Sequence, residues 1–272
     1  GIPDALLPVV DREPEIRAAR SLAAHRDFLT CDNTRCKNRL RSILLESCPE
    51  FEALVDLSDA SALRLMAELG GPWSVAAAGR RRAAALTRGA SRGRVDALVG
   101  SVGSSTKPDA AAIAAEDRAV KFLARRIAEN ASELDAATAA ISALLERDAT
   151  YRCLLTIPGV GPKTASELAI SINIDDFPSH DRLASYCGLA PRNRQSGTSV
   201  SSVSASRQGN KRLKNLLIFS CNCLARTDGR WGEYYARCRE RGMPHGKALK
   251  AVARKRLKVI YAVMRDKVPY VA

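Results

Sequence analysis

The chain has 272 residues and carries 43 Lys and Arg against 29 Asp and Glu, a formal net charge of +14. The whole excess lies in residues 151–272, with 22 cations against 8 anions, whereas residues 1–150 hold 21 of each. A half-chain this basic is the electrostatic footprint of a phosphate-rich partner. No run approaches the roughly 18 consecutive apolar residues of a spanning helix, and Gly1-Ile-Pro-Asp-Ala-Leu-Leu-Pro8 is no basic-then-apolar leader, so the expectation is a cytoplasmic protein with no membrane partner. The length suits about two domains, and the pattern change at Tyr151 divides them into 1–150 and 151–272. Eight cysteines, at 31, 36, 48, 153, 187, 221, 223 and 238, form no C-x-x-C pair, and there are three histidines. Reduced, partly buried thiols are expected, not a zinc site.

In chain order, Pro14 opens a predicted helix that runs to about Glu46 and stops before Cys48-Pro49, with Leu22, Leu29, Cys36 and Ile43 seven apart. A second, from Glu116 to Arg147, places Val120, Ile127, Leu134 and Ile141 seven apart, with Leu123, Ala137 and Leu144 as companions. Sustained heptads predict a coiled-coil seam, the helices pairing with each other, with a second subunit, or both. Polar Arg26, Asn33 and Arg39 on the first seam fit an ordinary amphipathic bundle face equally well. Between them, residues 51–115 read as a helical insertion followed by a basic linker of small residues. Gly79-Arg-Arg-Arg82, Arg88, Arg92 and Arg94 precede the turn-rich Ser101–Pro108. Those arginines are candidates for nucleic-acid contact, with solvated surface the commoner role for each singly.

The most informative stretch is Leu154-Leu-Thr-Ile-Pro-Gly-Val-Gly-Pro-Lys-Thr-Ala165. It predicts two short helices around a Gly-Val-Gly turn, with Leu154, Ile157, Val160, Ala165 and Leu168 at helix-hairpin-helix spacing. Gly159 and Gly161 are expected to adopt backbone angles other residues avoid and to leave no side chain between backbone and ligand. Pro162 suits the first turn of the second helix, whose free N–H groups offer a phosphate site. Lys163 adds a charge, and Val160 and Thr164 complete the candidate DNA-binding set. A plain turn between bundle helices is the alternative.

The second hairpin helix is expected at Lys163 to about Ile172, followed by a short helix over Ser179–Tyr186, then Gly188-Leu-Ala-Pro191. A polar loop or small hairpin, Arg192 to Gly209, leads into helices at about 210–225, 230–241 and 246–265. The polar segment contains Gln195-Ser-Gly-Thr-Ser-Val-Ser-Ser-Val-Ser204 with no His or Asp arranged as a triad; His180 and His245 are the only candidate bases in this half. Arg192 and Arg194 precede Ser196, and Arg207, Lys211, Arg212 and Lys214 follow it. Cations of this kind stabilise charge developing at a phosphoryl centre, and a serine among them is a candidate nucleophile toward a phosphodiester. On pattern alone it is also an ordinary loop serine.

Four ordered motifs, Leu155–Thr164, Leu183–Arg192, Ser196-Gly197 and Arg207–Leu213, resemble the IS110/IS116/IS902 family of transposases, and the resemblance extends through the C-terminal helices and the two heptad stretches. It implies a mainly α fold: a coiled-coil helical region, then a helical transposase domain containing the helix-hairpin-helix. It further implies an RNA-guided DNA recombinase acting as a homo-oligomer, with a structured bridge RNA selecting target and donor DNA. The implied active site is composite, an RuvC-like domain supplying four acidic residues for Mg²⁺ and the transposase domain a nucleophilic serine. Ser196 matches that serine, with Ser199 and Ser201 as fallback positions. Only thirteen residues precede Pro14, so the metal ligands are expected outside this sequence, Asp4 and Asp11 are not assigned to the role, and no cofactor is assigned to the chain itself. The expectation is that residues 1–272 bind DNA or RNA without completing recombination. A non-enzymatic DNA-binding and oligomerisation module is the alternative, and a structural oligomer whose charge serves only solubility is a third.

Overall fold

The computed structural model describes residues 14–87, 89, 91–104, 106–196, 200–205 and 209–271, with the backbone alone at 104, 191–196 and 200–205. The expected mainly α fold is the one found. The first helices are α1 (Pro14–Ser47), α2 (Pro49–Leu54), α3 (Ala60–Leu69), α4 (Pro72–Leu86), α5 (Arg92–Gly100) and α6 (Ala110–Leu144). Then come α7 (Ala149–Leu155), α8 (Pro162–Ser171), α9 (His180–Tyr186), the antiparallel strands β1 (Pro191–Ser196) and β2 (Val200–Ala205), α10 (Lys211–Leu224), α11 (Arg230–Glu240) and α12 (His245–Asp266). The chain divides into two compact units, Ala24–Ala137 and Thr138–Ala272 together with the stretch up to Ala23.

In the unit 24–137, α1 and α6 lie antiparallel. The Asp32 carboxylate accepts from Arg126 Nε at 3.1 Å and from Asn130 Nδ2 at 2.9 Å, while near the other end Ser47 Oγ donates to Glu116 at 2.7 Å. Cys36, Leu40 and Leu44 from α1 and Val120, Leu123, Ala124 and Ile127 from α6 share one core with Phe51, Leu63, Leu65 and Met66. Of the expected seam, Leu29, Cys36, Val120, Leu123, Ile127, Ala137 and Ile141 are buried, whereas Leu22, Ile43, Leu134 and Leu144 are half-buried. Leu40 and Leu44 are buried instead, because a helix turning every 3.6 residues drifts from a strict seven-residue line by about 20° per heptad. Arg26 is buried, Asn33 half-buried and Arg39 exposed.

The basic linker expected before Ser101 is helical. Val75 and Ala83 of α4 and Val95 and Leu98 of α5 are buried, and a kink at Gly79, φ +75°, re-aims α4 midway. Small residues had hidden this narrow apolar face. Two of its arginines are committed to acids, Arg80 to Asp96 at 2.9 Å and Arg94 to Asp59 at 3.2 Å; Arg81, Arg82 and Arg92 are exposed, and Arg88 lies outside the described residues.

The other unit is built on α12, whose buried residues Leu249, Val252, Ala253, Leu257 and Ile260 share a core with Leu154, Ile157, Leu168, Leu183, Leu213 and Leu217. Tyr261 donates its hydroxyl to the Phe177 carbonyl at 2.9 Å, and after a left-handed Lys267 the Tyr270 N–H returns to Thr156 Oγ1 at 2.7 Å.

Candidate nucleic-acid interface

Asp148 caps α7 by accepting from the Tyr151 N–H at 2.5 Å. The chain then turns within Ile157–Val160, where the Val160 N–H reaches the Ile157 carbonyl at 3.0 Å and Gly159 takes φ +72°. Pro second and a positive-φ Gly third are the residues this turn demands. A Cβ on Gly159 would also stand 2.7–2.8 Å from three carbons of Leu224.

Gly161 differs from the expectation. Its φ of −83° and ψ of 175° are ordinary extended backbone, and a Cβ built there meets nothing within 4 Å. It is the N-cap of α8, which no side chain caps; the Ala165 N–H returns to the Gly161 carbonyl at 2.9 Å. The earlier N–H groups of the turn point out of the helix end, where the peptide dipoles leave partial positive charge. Lys163 is exposed beside them. Val160 and Thr164 are only 5% and 8% exposed. The helical turn that aims the backbone outward sends these two side chains into the core, leaving only their backbone available to a ligand.

Beneath the turn lies a group that the sequence reading missed. Arg256 of α12 is 0% exposed and donates to the Pro158 carbonyl at 2.6 Å and to Ser220 Oγ at 2.6 Å, with Cys221 Sγ 3.9 Å away. None of these acceptors is a carboxylate, and burial holds the guanidinium below its ordinary pKa. In sequence it sits inside Arg254-Lys-Arg-Leu-Lys258, which reads as a solvated charge run. The signal was helical phase: Leu249, Val252, Ala253, Leu257 and Ile260 put position 256 on the apolar face.

Two of the quoted motifs meet at the base of the strands. Gly188, φ +64°, ends α9, and Gly209, φ +101°, packs so that a Cβ would lie 2.8 Å from the Gly188 nitrogen and the Tyr186 carbonyl. The Asn210 N–H donates to that carbonyl at 2.7 Å, and its side chain caps α10 by accepting from the Arg212 and Leu213 N–H groups at 3.1 Å. The polar segment is a two-stranded hairpin. Pro191 pairs with Ala205 at the base and Ser196 with Val200 at the far end, so Arg192, Arg194 and Ser196 occupy every second position of β1. Gly197, Thr198, Ser199 and Arg207 lie outside the described residues, and Ser201 belongs to β2. Of the cations after the hairpin, Lys211 is exposed and Lys214 half-buried. Arg212 donates through Nη2 to Glu167 of α8 at 2.6 Å, and Ser171 donates to the other Glu167 oxygen at 2.9 Å. Glu167 is 2% exposed, so Arg212 is the partner of a buried carboxylate and ties α8 to the start of α10.

Turn, hairpin and helix lie within one stretch that matches the transposase IS116/IS110/IS902 family over residues 151–236. The chain is 32% identical over 244 residues to an uncharacterized 43.6 kDa protein of insertion element IS110 from Streptomyces coelicolor, covering 88% of this chain and 60% of that one. It is 30% identical over 274 residues to an uncharacterized 44.8 kDa protein of insertion element IS116 from Streptomyces clavuligerus, covering 95% and 66%. The pilin gene-inverting protein of Moraxella bovis is 35% identical over 125 residues, 43% of this chain and 37% of its own. The chain belongs to the IS110/IS116/IS902 transposase family, and it spans 60% to 66% of the first two relatives. Among the described residues no group of three His, Cys, Asp or Glu is placed to hold a metal ion, and no helix is long and apolar enough to cross a membrane.

Proposed function

We propose that the chain is the DNA-handling part of an insertion-sequence transposase that cleaves and rejoins strands as a site-specific recombinase. The observation that carries this reading is the uncapped start of α8 under a glycine whose missing side chain the protein's own packing does not require. A phosphate approaching the Gly161–Thr164 backbone, in the manner of a helix-hairpin-helix, uses the space. Lys163 and Lys211 supply flanking charge, while Arg192, Arg194 and Arg207 surround the proposed nucleophile in sequence.

Ser196 is the proposed nucleophile. Its Oγ attacks a phosphodiester phosphorus, a serine–phosphate bond replaces the strand bond, and the displaced strand oxygen leaves as a hydroxyl with the proton. One bond to phosphorus forms as one breaks, so attack by a new strand's hydroxyl reverses the step and joins that strand. Bound Mg²⁺ supplies Lewis-acid stabilisation in such transfers; among the described residues no cluster of three His, Cys, Asp or Glu is placed to hold it. A guiding bridge RNA and assembly of copies through the α1–α6 region belong to the same reading.

The test is equilibrium binding of the 272-residue chain to a labelled duplex across a salt series. The expected result is affinity that falls steeply with salt, by about one logarithmic unit of slope per phosphate contact. Gly161→Val lowers affinity with helix content unchanged, and Lys163→Ala has a smaller effect and lowers the slope by about one. Weak, salt-insensitive binding would refute the reading. With the remainder of a full-length relative supplied, Ser196→Ala abolishes covalent DNA capture; unaltered capture leaves a non-enzymatic DNA-binding module.

A further inference from the structure

Resting on that reading, we infer that the outer face of α10 is a track for an unpaired DNA strand, with Phe219 as the platform on which one base stacks.

Three observations converge. Phe219 is 69% exposed, in the middle of a helix whose opposite side, Leu213, Leu217, Ser220, Cys221 and Leu224, is buried. At 100° per residue, Lys211, Asn215 and Phe219 fall within one arc of about 80°. All three are exposed, as is Arg226 in the turn that follows the helix, and no acid occurs anywhere in Lys211–Leu224. The face presents cation, amide and aromatic ring in line, with a further cation just past the helix end, the pattern a single strand recognises through phosphates at the ends and a π-face between them.

The second observation is where the helix leads. At its C-terminal end Leu224 packs on Gly159, and Ser220 shares the Arg256 guanidinium with Pro158, so the proposed phosphate turn abuts this end. At its N-terminal end Asn210 is fastened to Tyr186 at the base of the β1–β2 hairpin. The 14 residues of α10 therefore span about 20 Å from the turn to the root of the serine hairpin. Even at the close spacing of a duplex strand, about 3.4 Å per nucleotide, no more than about six nucleotides fit along this face, with Phe219 about 12 Å from Lys211.

The third is chemical. A phenyl ring offers no hydrogen bond, so it reads no base edge and exchanges water only for another apolar face. Bases offer that face when unpaired. Strand exchange leaves nucleotides transiently unpaired, and stacking stabilises them without sequence preference.

The test uses the 272-residue chain with three labelled probes, oligothymidylate and oligouridylate of twenty residues and a twenty-base-pair duplex. Phe219→Ala is expected to weaken oligothymidylate binding by about 5- to 100-fold, leaving the salt slope and duplex affinity within about twofold. Phe219→Trp should retain affinity, and its emission should be quenched on binding. An equal loss on duplex and single strand, no loss on either, or a change in oligomeric state without a change in oligothymidylate affinity would each overturn the inference, the last by assigning Phe219 to a protein contact. Loss confined to oligouridylate would replace DNA by RNA as the occupant. Absence of all binding by the unsubstituted chain would instead bring down the DNA-handling reading, and the inference with it.

Discussion

The two glycines of the Gly159-Val-Gly161 turn should respond oppositely to the same methyl group. In Gly159→Ala the backbone must hold φ at +72° with a Cβ present, which costs an L-residue roughly 1–2 kcal/mol. That Cβ would also stand 2.7–2.8 Å from three Leu224 carbons. Overpacking of this kind costs about 1–3 kcal/mol, and Leu224, a flexible side chain at a helix end, takes the lower part of that range. Restricting the unfolded chain returns about 0.4–1 kcal/mol, so the net loss should be about 2–3 kcal/mol. At roughly 2–4 °C per kcal/mol for a protein of this size, the melting temperature should fall by about 5–10 °C. Gly161→Ala meets nothing within 4 Å and needs no unusual φ, so its stability should stay within about 1 kcal/mol of the unsubstituted chain. Circular-dichroism melts and urea titrations of the pair, read beside duplex anisotropy, separate the roles: the first variant loses stability, and the second loses affinity alone. Equal midpoints for both variants would refute the packing argument, and full affinity in Gly161→Ala would assign that glycine to the turn and not to a ligand.

Arg256→Met retains the volume and leaves only the Pro158 carbonyl at an exposed turn and a Ser220 hydroxyl that still donates to Leu217 at 3.0 Å; stability should change by less than about 2 kcal/mol, while hydrogen exchange of the 155–165 peptide speeds up, and unchanged exchange would show that the guanidinium does not hold the turn. Burial raises the pKa of Glu116, the largest influence on it, against the Ser47 hydroxyl that lowers it. The protonated form is thus favoured in the fold, and its stabilising contribution, fully present below the unfolded pKa, is lost as pH rises through the folded one. Glu116→Gln should therefore be the more stable protein at pH 7, with its advantage gone below about pH 4, and urea midpoints measured at both values check the sign. Asp59 caps α3 through Ser61 and holds Arg94, so Asp59→Ala should lower stability by about 1 kcal/mol, and a thermal melt indistinguishable from the unsubstituted chain would count against the cap.

Local chemistry made the helices legible. Proline at the start of α1, α8 and the turn before it, glycine after α9, and the apolar phase of α12 each act within a turn or two, so their expected bounds lie within a residue or two of those observed. Of the helical insertion and basic linker expected over residues 51–115, the helices are present and extend through the arginine-rich stretch, because Val75, Ala83, Val95 and Leu98 are spaced out among alanine, glycine and arginine that composition cannot distinguish from a linker. The site was legible only where backbone geometry carries it. Gly159 and the uncapped α8 follow from Pro-Gly-Val-Gly-Pro, whereas burial of Val160, Thr164 and Arg256 depends on which side of a helix another helix covers. The Arg212–Glu167 bond joins residues 45 apart in sequence, and neither is distinguishable on the page from any surface ion.

The junction of Gly188, Gly209 and Asn210 has a consequence for how this protein can vary. The chain leaves the helical body just after Gly188 and re-enters at Gly209, two points that touch. The strands β1 and β2 between them pair with each other and close at their own base, and closure entropy changes only slowly with the length of such an excursion. The hairpin is therefore a cassette: its strands can be lengthened or shortened while both glycines and the asparagine clamp stay in place, so the distance of Ser196 from the helical body can change without redesigning the helices that carry it.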